Sequence, residues 1–117
     1  MLGEFIGELK GKITSQRVLS VEGPRMETSI SATGNLRGAQ VTETLTYVAS
    51  QTSKGVLHGV GNGVIMSTEG ELVTYTGEGI GKFDSSSTLN WRGAIFFATE
   101  SNGKLSSLNN QARVFEA

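Results

Sequence analysis

The sequence predicts an all-β protein, an antiparallel up-and-down meander that closes into a barrel of seven to eight strands. The first observation is an alternation of apolar and polar residues with a period close to two along nearly the whole chain. The second is that no window of eleven or more residues carries the i, i+3, i+4, i+7 stripe of an amphipathic helix. The third is the regular spacing of turn signals.

Six turn signals divide the chain into runs of strand length. Asn-Gly between two alternating runs is a strong hairpin signal, and Gly with Pro interrupts a strand. The six signals are Gly23-Pro24, Asn35 to Gly38, Gln51 to Lys54, Glu69-Gly70, Asp84 to Ser86 and Asn102-Gly103. We therefore predict seven strands, with approximate ranges 4–22, 25–35, 39–50, 55–67, 71–83, 87–99 and 104–116.

The first two strands follow from long alternating stretches. Phe5 and Ile13 alternate with charged and polar residues in the first, as Met26 and Ile30 do in the second. The first run is long for a strand, so we expect it to bend, and Gly11 offers a place because it has no side chain.

The remaining strands are rich in Val, Thr, Ile and aromatic residues, whose shapes suit a pleated sheet. Hairpin parity tests their arrangement, because a slip of one residue turns every side chain to the other face. Independent turns place the following pairs on one common face: Val21 with Met26, Tyr47 with His58, Tyr75 with Val64, Gly79 with Trp91, and Phe97 with Leu108. We therefore predict that all seven strands share one inner face.

The predicted inner face is apolar on every strand. Its members are Phe5, Leu9, Ile13, Met26, Ile30, Leu36, Val41, Leu45, Tyr47, Val56, Val60, Val64, Met66, Val73, Tyr75, Phe83, Leu89, Trp91, Ile95, Phe97, Leu108, Ala112 and Val114. With no helix to cover this face, the sheet must curl on itself.

Glycines occur where a curling sheet needs them. The parity argument points Gly59, Gly61 and Gly63 outward and the glycines at 77, 79 and 81 inward. Trp91 is then expected to fill the space above Gly79. The period of two within strands also argues against reading these glycines as phosphate-binding loops, which occur at strand-to-helix junctions.

The strand number bears on closure. Seven strands in an up-and-down barrel would bring the first and last strands together in parallel. Either the bent first strand counts as two, or an eighth closing strand lies beyond residue 117. We expect residues 1–117 to form one β-barrel domain, with both routes to closure open.

Composition excludes several classes of protein. The 117 residues contain no Cys, which argues against disulfide scaffolds, thiol chemistry and Cys-based zinc sites, and the single His shows no metal-ligand spacing. The net charge of -1 argues against a nucleic-acid partner. We see no membrane-spanning run and no signal peptide, and therefore predict a cytoplasmic protein without a cofactor or metal.

Polar residues on the predicted inner face form the candidate site, because burying them costs free energy unless they are paired. Glu43 is predicted opposite Asn62, and Tyr47 opposite His58, on adjacent strands. Tyr75 is diagonal to Asn62, and Asn110 lies two strands further round. The candidate ligand-binding residues are Glu43, Tyr47, His58, Asn62, Tyr75 and Asn110. A satisfied polar network without a ligand is the alternative.

Three functions fit this pattern. The first is binding of a small apolar or amphipathic ligand inside the barrel. The second is a homo-oligomeric structural or interaction module with no ligand, associating through outward-facing Leu57, Ile65, Leu72 and Phe96. The third is a cyclase- or isomerase-type enzyme in which buried Glu43 and His58 share a proton. We favour binding over catalysis and assign no catalytic residue.

The second half of the chain resembles the small barrels related to allene oxide cyclase. The resemblance lies in Gly-Glu-Gly-Ile-Gly at 77–81, in Trp91-Arg92-Gly93 with Phe96-Phe97, and in the hairpin signal Asn102-Gly103. It implies a calycin-like barrel, often oligomeric, with an internal cavity for apolar ligands. The cyclase itself uses a cavity Glu, Asn, Pro and Cys. This chain has no Cys and its Pro24 lies in a turn, so no catalytic residue is carried over.

Overall fold

The computed structural model describes residues 6–117 and contains one antiparallel sheet. Its strands are β1 (Gly7–Ser20), β2 (Arg25–Leu36), β3 (Ala39–Ser53), β4 (Val56–Ser67), β5 (Leu72–Phe83), β6 (Leu89–Thr99) and β7 (Ala112–Glu116), with a 3-10 turn at Ser106–Leu108. Each strand pairs only with its neighbours in chain order. The predicted all-β meander is confirmed. Phe5, predicted on the inner face, lies outside the described residues.

The sheet is open within residues 6–117, since β1 and β7 form its two edges. The first predicted strand is one continuous strand, with pairing irregularities between Ile13 and Ser15 and between Val18 and Ser20. Closure into a barrel stays a prediction. Within the same residues no helix is long and apolar enough to cross a membrane. The predicted cytoplasmic location stays a prediction as well.

The β2–β3 hairpin shows how local sequence fixes a register. Arg37 and Gly38 both have positive φ, 48° and 79°, as a two-residue type I′ turn requires. Leu36 then pairs with Ala39, and Thr28 with Tyr47. The inward positions of Thr28 and Tyr47 agree with the predicted face.

The predicted register of β4 is wrong. The β3–β4 turn falls at Lys54 and Gly55, where Gly55 has φ 75°, and a bulge between Gln51 and Ser53 absorbs an extra residue. Tyr47 therefore pairs with Gly61 and not with His58. A shift of three residues is odd, so it turns every β4 side chain to the other face.

The reversal of β4 corrects several predicted positions. The inward residues are now Leu57, Gly59, Gly61, Gly63 and Ile65. Leu57 and Ile65 were expected on the outer face, yet Ile65 is only 3% exposed. The residues expected inside face outward instead: Val56, His58, Val60, Asn62, Val64 and Met66.

A second slip restores the faces of the following strands. The β4–β5 turn has three residues, Thr68 to Gly70, because the Ser67 N–H donates to the Glu71 carbonyl at 2.9 Å. Tyr75 therefore pairs with Gly63 and not with Val64, a shift of one residue. The two odd shifts cancel, so Val73 and Tyr75 are buried as predicted.

The predicted β6 face is also correct. Tyr75 pairs with Phe97, an even shift of two residues from the predicted partner Ile95. The longer β5–β6 turn is organised by Asp84, whose Oδ1 accepts hydrogen bonds from the Ser86 and Thr88 N–H groups at 2.8 and 3.1 Å. The hydrogen bond from the Ser86 hydroxyl has the largest effect on the Asp84 carboxylate. Together with the two backbone bonds it lowers the pKa of Asp84 to about 2.

The last predicted strand, 104–116, is wrong over its first half. Residues 100–111 form a loop in which Leu105 and Leu108, three residues apart, both face the core through the 3-10 turn. Strand pairing resumes with Phe96 opposite Ala112. Ala112 and Val114 are therefore exposed rather than inward, and Arg113 and Phe115 take the inner positions.

The core lies at one end of the curled sheet. It contains Leu36, Ala39, Val41, Ile65, Val73, Tyr75, Phe97, Leu105 and Leu108. Leu105 and Leu108 have no solvent exposure and close this end of the inner face. The other end, beside the β1–β2, β3–β4 and β5–β6 turns, carries most of the exposed apolar residues of the inner side, including Val18 and Val21. The fold therefore has a filled end and an open end.

Candidate functional site: an aromatic cleft at the open end

The predicted polar band is divided between the two faces of the sheet. Glu43, Tyr47 and Tyr75 lie on the inner face. His58 and Asn62 lie on the outer face because the register of β4 is reversed. Asn110 is exposed in the loop before β7, with φ 61°. The structure therefore keeps three of the six residues on the inner face and brings only Glu43 and Tyr75 into contact.

The predicted Glu43–His58 pair is wrong. Nε2 of His58 lies 2.9 Å from Oε2 of Glu78 on the outer face, where the His58 side chain is 34% exposed. The sheet backbone separates His58 from Glu43. The two groups cannot share a proton as the enzymatic alternative required.

The inner carboxylate has a different partner. The Tyr75 hydroxyl donates a hydrogen bond of 2.6 Å to Oε2 of Glu43. Burial raises the pKa of Glu43, and the Tyr75 hydrogen bond opposes this rise. Burial is also the main cause that raises the pKa of Tyr75. The hydrogen bond to Glu43 and the negative charge of Glu43 raise it further. Tyr75 packs edge-on against Phe97, so this pair belongs to the filled end.

The open end holds a cleft of about 390 Å³. Its wall combines residues of β1, β2, β3 and β4 with residues of β6: Gln16, Val18, Ser20, Val21, Pro24, Arg25, Met26, Thr28, Tyr47, Ala49, Gln51, Leu57, Leu89 and Trp91. β1 and β6 are far apart in the strand order, so the sheet curls strongly enough to bring them to one concavity.

Tyr47 and Trp91 are the two aromatic rings of this cleft. Their centroids are 5.4 Å apart at an interplanar angle of 69°, an edge-to-face contact. Trp91 lies against backbone without side chains, since a Cβ on Gly59 would come 2.8 Å from the ring and one on Gly81 3.0 Å. The glycines thus position the indole, although the predicted partner was Gly79 and Gly59 was expected to face outward.

Polar groups are few in the cleft. The Gln16 side-chain amide donates to the Thr28 hydroxyl at 3.4 Å, and Thr28 is only 3% exposed. The Gln51 amide donates to the Ser53 carbonyl at 3.2 Å. Most of the remaining wall is apolar, so the cleft offers an apolar surface with a few hydrogen-bonding groups.

Among the residues of the cleft wall, only Tyr47 was predicted to belong to the binding site. Trp91 was placed on the inner face but only as core packing. Gln16, Val18 and Met26 come from the opposite side of the curl. Alternation assigns a residue to a face, but it does not state which distant strands approach each other.

A second depression, of about 670 Å³, lies at the filled end. It is lined by Ile6, Gly7, Asn35, Arg37, Gly38, Lys104 and Ser107. No aromatic ring lines it, and it is a shallow depression on the surface rather than a cleft between strands. Among residues 6–117 no cluster of three or more His, Asp or Glu side chains could hold a metal ion.

Comparisons with protein-family models, curated proteins and solved structures give no match to this chain. The resemblance to allene oxide cyclase-related barrels stays a prediction.

Proposed function

We propose that this protein binds a small apolar or amphipathic molecule in the cleft at the open end of its sheet. The observation that carries the proposal is the Tyr47–Trp91 edge-to-face pair in an apolar concavity of about 390 Å³. Small-molecule sites are concave, mostly apolar and rich in aromatic residues, with a few polar groups that set orientation. The volume suits a compact ligand of one or two rings.

The few polar groups of the cleft wall favour an amphipathic ligand. Gln16, Thr28 and Gln51 present amide and hydroxyl groups, and Arg25 adds a positive charge. A ligand with an apolar body and a polar or anionic end would place its body against Trp91 and its polar end toward these groups.

Binding is a better proposal than catalysis for this cleft. The inner carboxylate, Glu43, is hydrogen-bonded to Tyr75 and is not part of the cleft wall. The calycin-like barrel also remains part of the proposal. Its support is that β1 and β6 line one cavity, as they would in a sheet that is curled toward closure.

Trp91 provides the direct test, because it is the only Trp in the chain. We expect its fluorescence to change saturably when the apolar anion 1-anilinonaphthalene-8-sulfonate is titrated into the folded protein. Ala49→Phe would fill the cleft and weaken binding at least about tenfold, the effect of roughly 1.4 kcal/mol. Thr33→Phe adds the same ring on the exposed outer face and should leave binding unchanged.

Equal binding by the two Phe variants would contradict the proposal. Loss of native near-ultraviolet circular dichroism in Ala49→Phe would make its weakened binding uninformative, so the titration is repeated with Ala49→Leu. A smaller but still selective loss in this second variant supports the cleft, and an unchanged affinity counts against it.

A further inference from the structure

The outer face of the sheet has two halves of different chemistry. On β1 to β3 it is dominated by charged and hydroxyl-bearing residues, including Glu8, Lys10, Lys12, Ser31, Thr33, Thr42 and Thr44. On β4 to β7 it carries large apolar side chains that are 41–58% exposed: Val60, Val64, Met66, Leu72, Ile80, Phe96 and Val114. We call this second half the outer apolar face. The solvated face of an antiparallel sheet is commonly polar, so a concentration of large exposed apolar side chains indicates a surface that is covered.

The register makes these residues contiguous. Val64 lies opposite Thr74, which lies opposite Ala98, and Met66 lies opposite Leu72. Two further rows cross the same strands: Val60, Glu78, Ala94 and Val114, and Asn62, Thr76, Phe96 and Ala112. Side chains directly opposite in an antiparallel sheet are neighbours. The large apolar side chains therefore lie in adjacent rows, with Thr74, Thr76 and Glu78 of β5 between them, and Phe96 lies between Thr76 and Ala112.

Its area approaches that of a stable interface. With roughly 150–200 Å² on each large side chain and about half of it exposed, the seven residues present on the order of 600 Å². The alanines and threonines between them add to this area. A standard interface buries about 800 Å² on each partner, and the polar side chains among and beside these seven residues extend the area toward that value.

Charged groups of both signs lie among and beside these apolar side chains. Nε of Arg92 lies 3.9 Å from Oε1 of Glu116, and Glu78, which contacts His58, stands between Val60 and Ala94. A two-fold axis brings the same groups back in the opposite direction, so a cation of one copy can meet an anion of the other. A partner of one charge sign would place like charge opposite either Arg92 or the two carboxylates.

We propose that the outer apolar face of β4 to β7 is covered by the same face of a second copy, as two sheets packed across a two-fold axis. Leu72 and Phe96 belong to this interface as the sequence predicted. Val60, Val64 and Met66 take the places that were expected for Leu57 and Ile65. The interface lies on the opposite side of the sheet from the ligand cleft and is independent of it.

Sedimentation equilibrium of the full chain tests this proposal. We expect wild type to show twice the mass of one chain at micromolar concentration. Phe96→Glu should weaken association at least about 100-fold, as expected for an aromatic residue in the interior of an interface. Thr33→Glu places the same charge on the polar half of the outer face and should leave the dimer intact. A monomeric wild type at up to about 100 μM would overturn the proposal.

Cysteine cross-linking keeps the test informative if Phe96→Glu fails to fold. The chain has no native Cys, so Ala98→Cys reports on the outer apolar face and Thr33→Cys serves as its matched control. A short bismaleimide should join two copies of Ala98→Cys and leave Thr33→Cys monomeric. If the two variants cross-link equally, or if Ala98→Cys cross-links only to a different protein, a second copy is not the occupant of this face.

Discussion

At the scale of single residues, glycines on the inner face allow aromatic rings to lie directly against the sheet. Trp91 covers Gly59 and Gly81, Tyr75 covers Gly63, and Phe115 approaches Gly79 and Gly93. A side chain at any of these positions would occupy volume that a ring already fills. The glycines that predict curvature from sequence therefore also set the positions of the cleft and core aromatics.

Gly63→Ala should be markedly destabilising, because its Cβ would overlap the Tyr75 ring. We expect a loss of about 1–3 kcal/mol in the free energy of unfolding, the range for overpacked cores. Gly77→Ala is the matched control on the next strand, where the nearest atom to a Cβ is the Ala94 carbonyl oxygen at 3.3 Å. Urea denaturation should show a lower midpoint for Gly63→Ala alone, and equal midpoints would contradict the packing described.

Glu43 gives stability a predictable dependence on pH. Because burial raises its pKa above 4.5, the native state holds the proton more tightly than the unfolded chain does. The favourable contribution of Glu43 is complete below pH 4.5 and is lost as pH rises through the native pKa. Unfolding of wild type and Glu43→Gln from pH 4 to pH 8 should therefore show wild type losing stability relative to the variant as pH increases.

Tyr75→Phe sharpens this test. Its hydrogen bond is the effect that lowers the pKa of Glu43, so removing it should raise that pKa further. The pH-dependent loss of stability should then extend to higher pH in Tyr75→Phe than in wild type. A pH-independent difference between wild type and Glu43→Gln would show that Glu43 is not buried as described.

At the scale of elements, six of the seven strands could be predicted within a few residues, and register could not. Alternation and turn residues locate strands because they are local properties of the chain. Register depends on how many residues each turn consumes, and a bulge at 51–53 changed the β3–β4 count by an odd number. His58 and Asn62 were misplaced for this reason alone, whereas Tyr75 was placed correctly because a second odd slip followed.

The loop before β7 was mispredicted for a different reason. Leu105 and Leu108 fit an alternating strand poorly but suit a 3-10 turn, and the loop is held by a residue from another hairpin. Glu71 accepts hydrogen bonds from the Ser101 hydroxyl at 2.8 Å and from the Leu105 N–H at 3.3 Å. No local pattern in residues 100–111 predicts this contact, because its partner lies 30 residues or more away in the sequence.

Glu71→Ala should release this loop and destabilise the filled end. Loss of hydrogen bonds to a charged acceptor costs about 1.5–3 kcal/mol, and amide exchange at Leu108 should accelerate with it. Glu69→Ala, in the exposed β4–β5 turn, is the control and should change stability by less than about 0.5 kcal/mol. Unchanged amide exchange at Leu108 in Glu71→Ala would show that the carboxylate does not hold the loop.

At the scale of the whole molecule, the two faces of one curled sheet differ in chemistry, and the two proposals concern one face each. The inner face is filled at one end by Leu105 and Leu108 and open at the other, where Tyr47 and Trp91 line the cleft. The outer face is mostly polar on β1 to β3, and on β4 to β7 it carries large exposed apolar side chains among polar ones. Composition, period and the strand glycines predicted an apolar interior in a curled sheet. The position of the cavity depends on which distant strands the curl brings together, here β1 and β6, and no local pattern gives that.

The most direct test of ligand binding in the cleft is a nitrogen-15 NMR titration with 1-anilinonaphthalene-8-sulfonate. We expect saturable shifts at the Trp91 indole N–H and at the backbone amides of Thr28, Tyr47 and Leu57. The amides of Val64, Thr74 and Ala98 on the outer apolar face should not move. Shifts confined to that outer face, or no shift at the Trp91 indole at saturating probe, would contradict a binding site at the open end of the sheet.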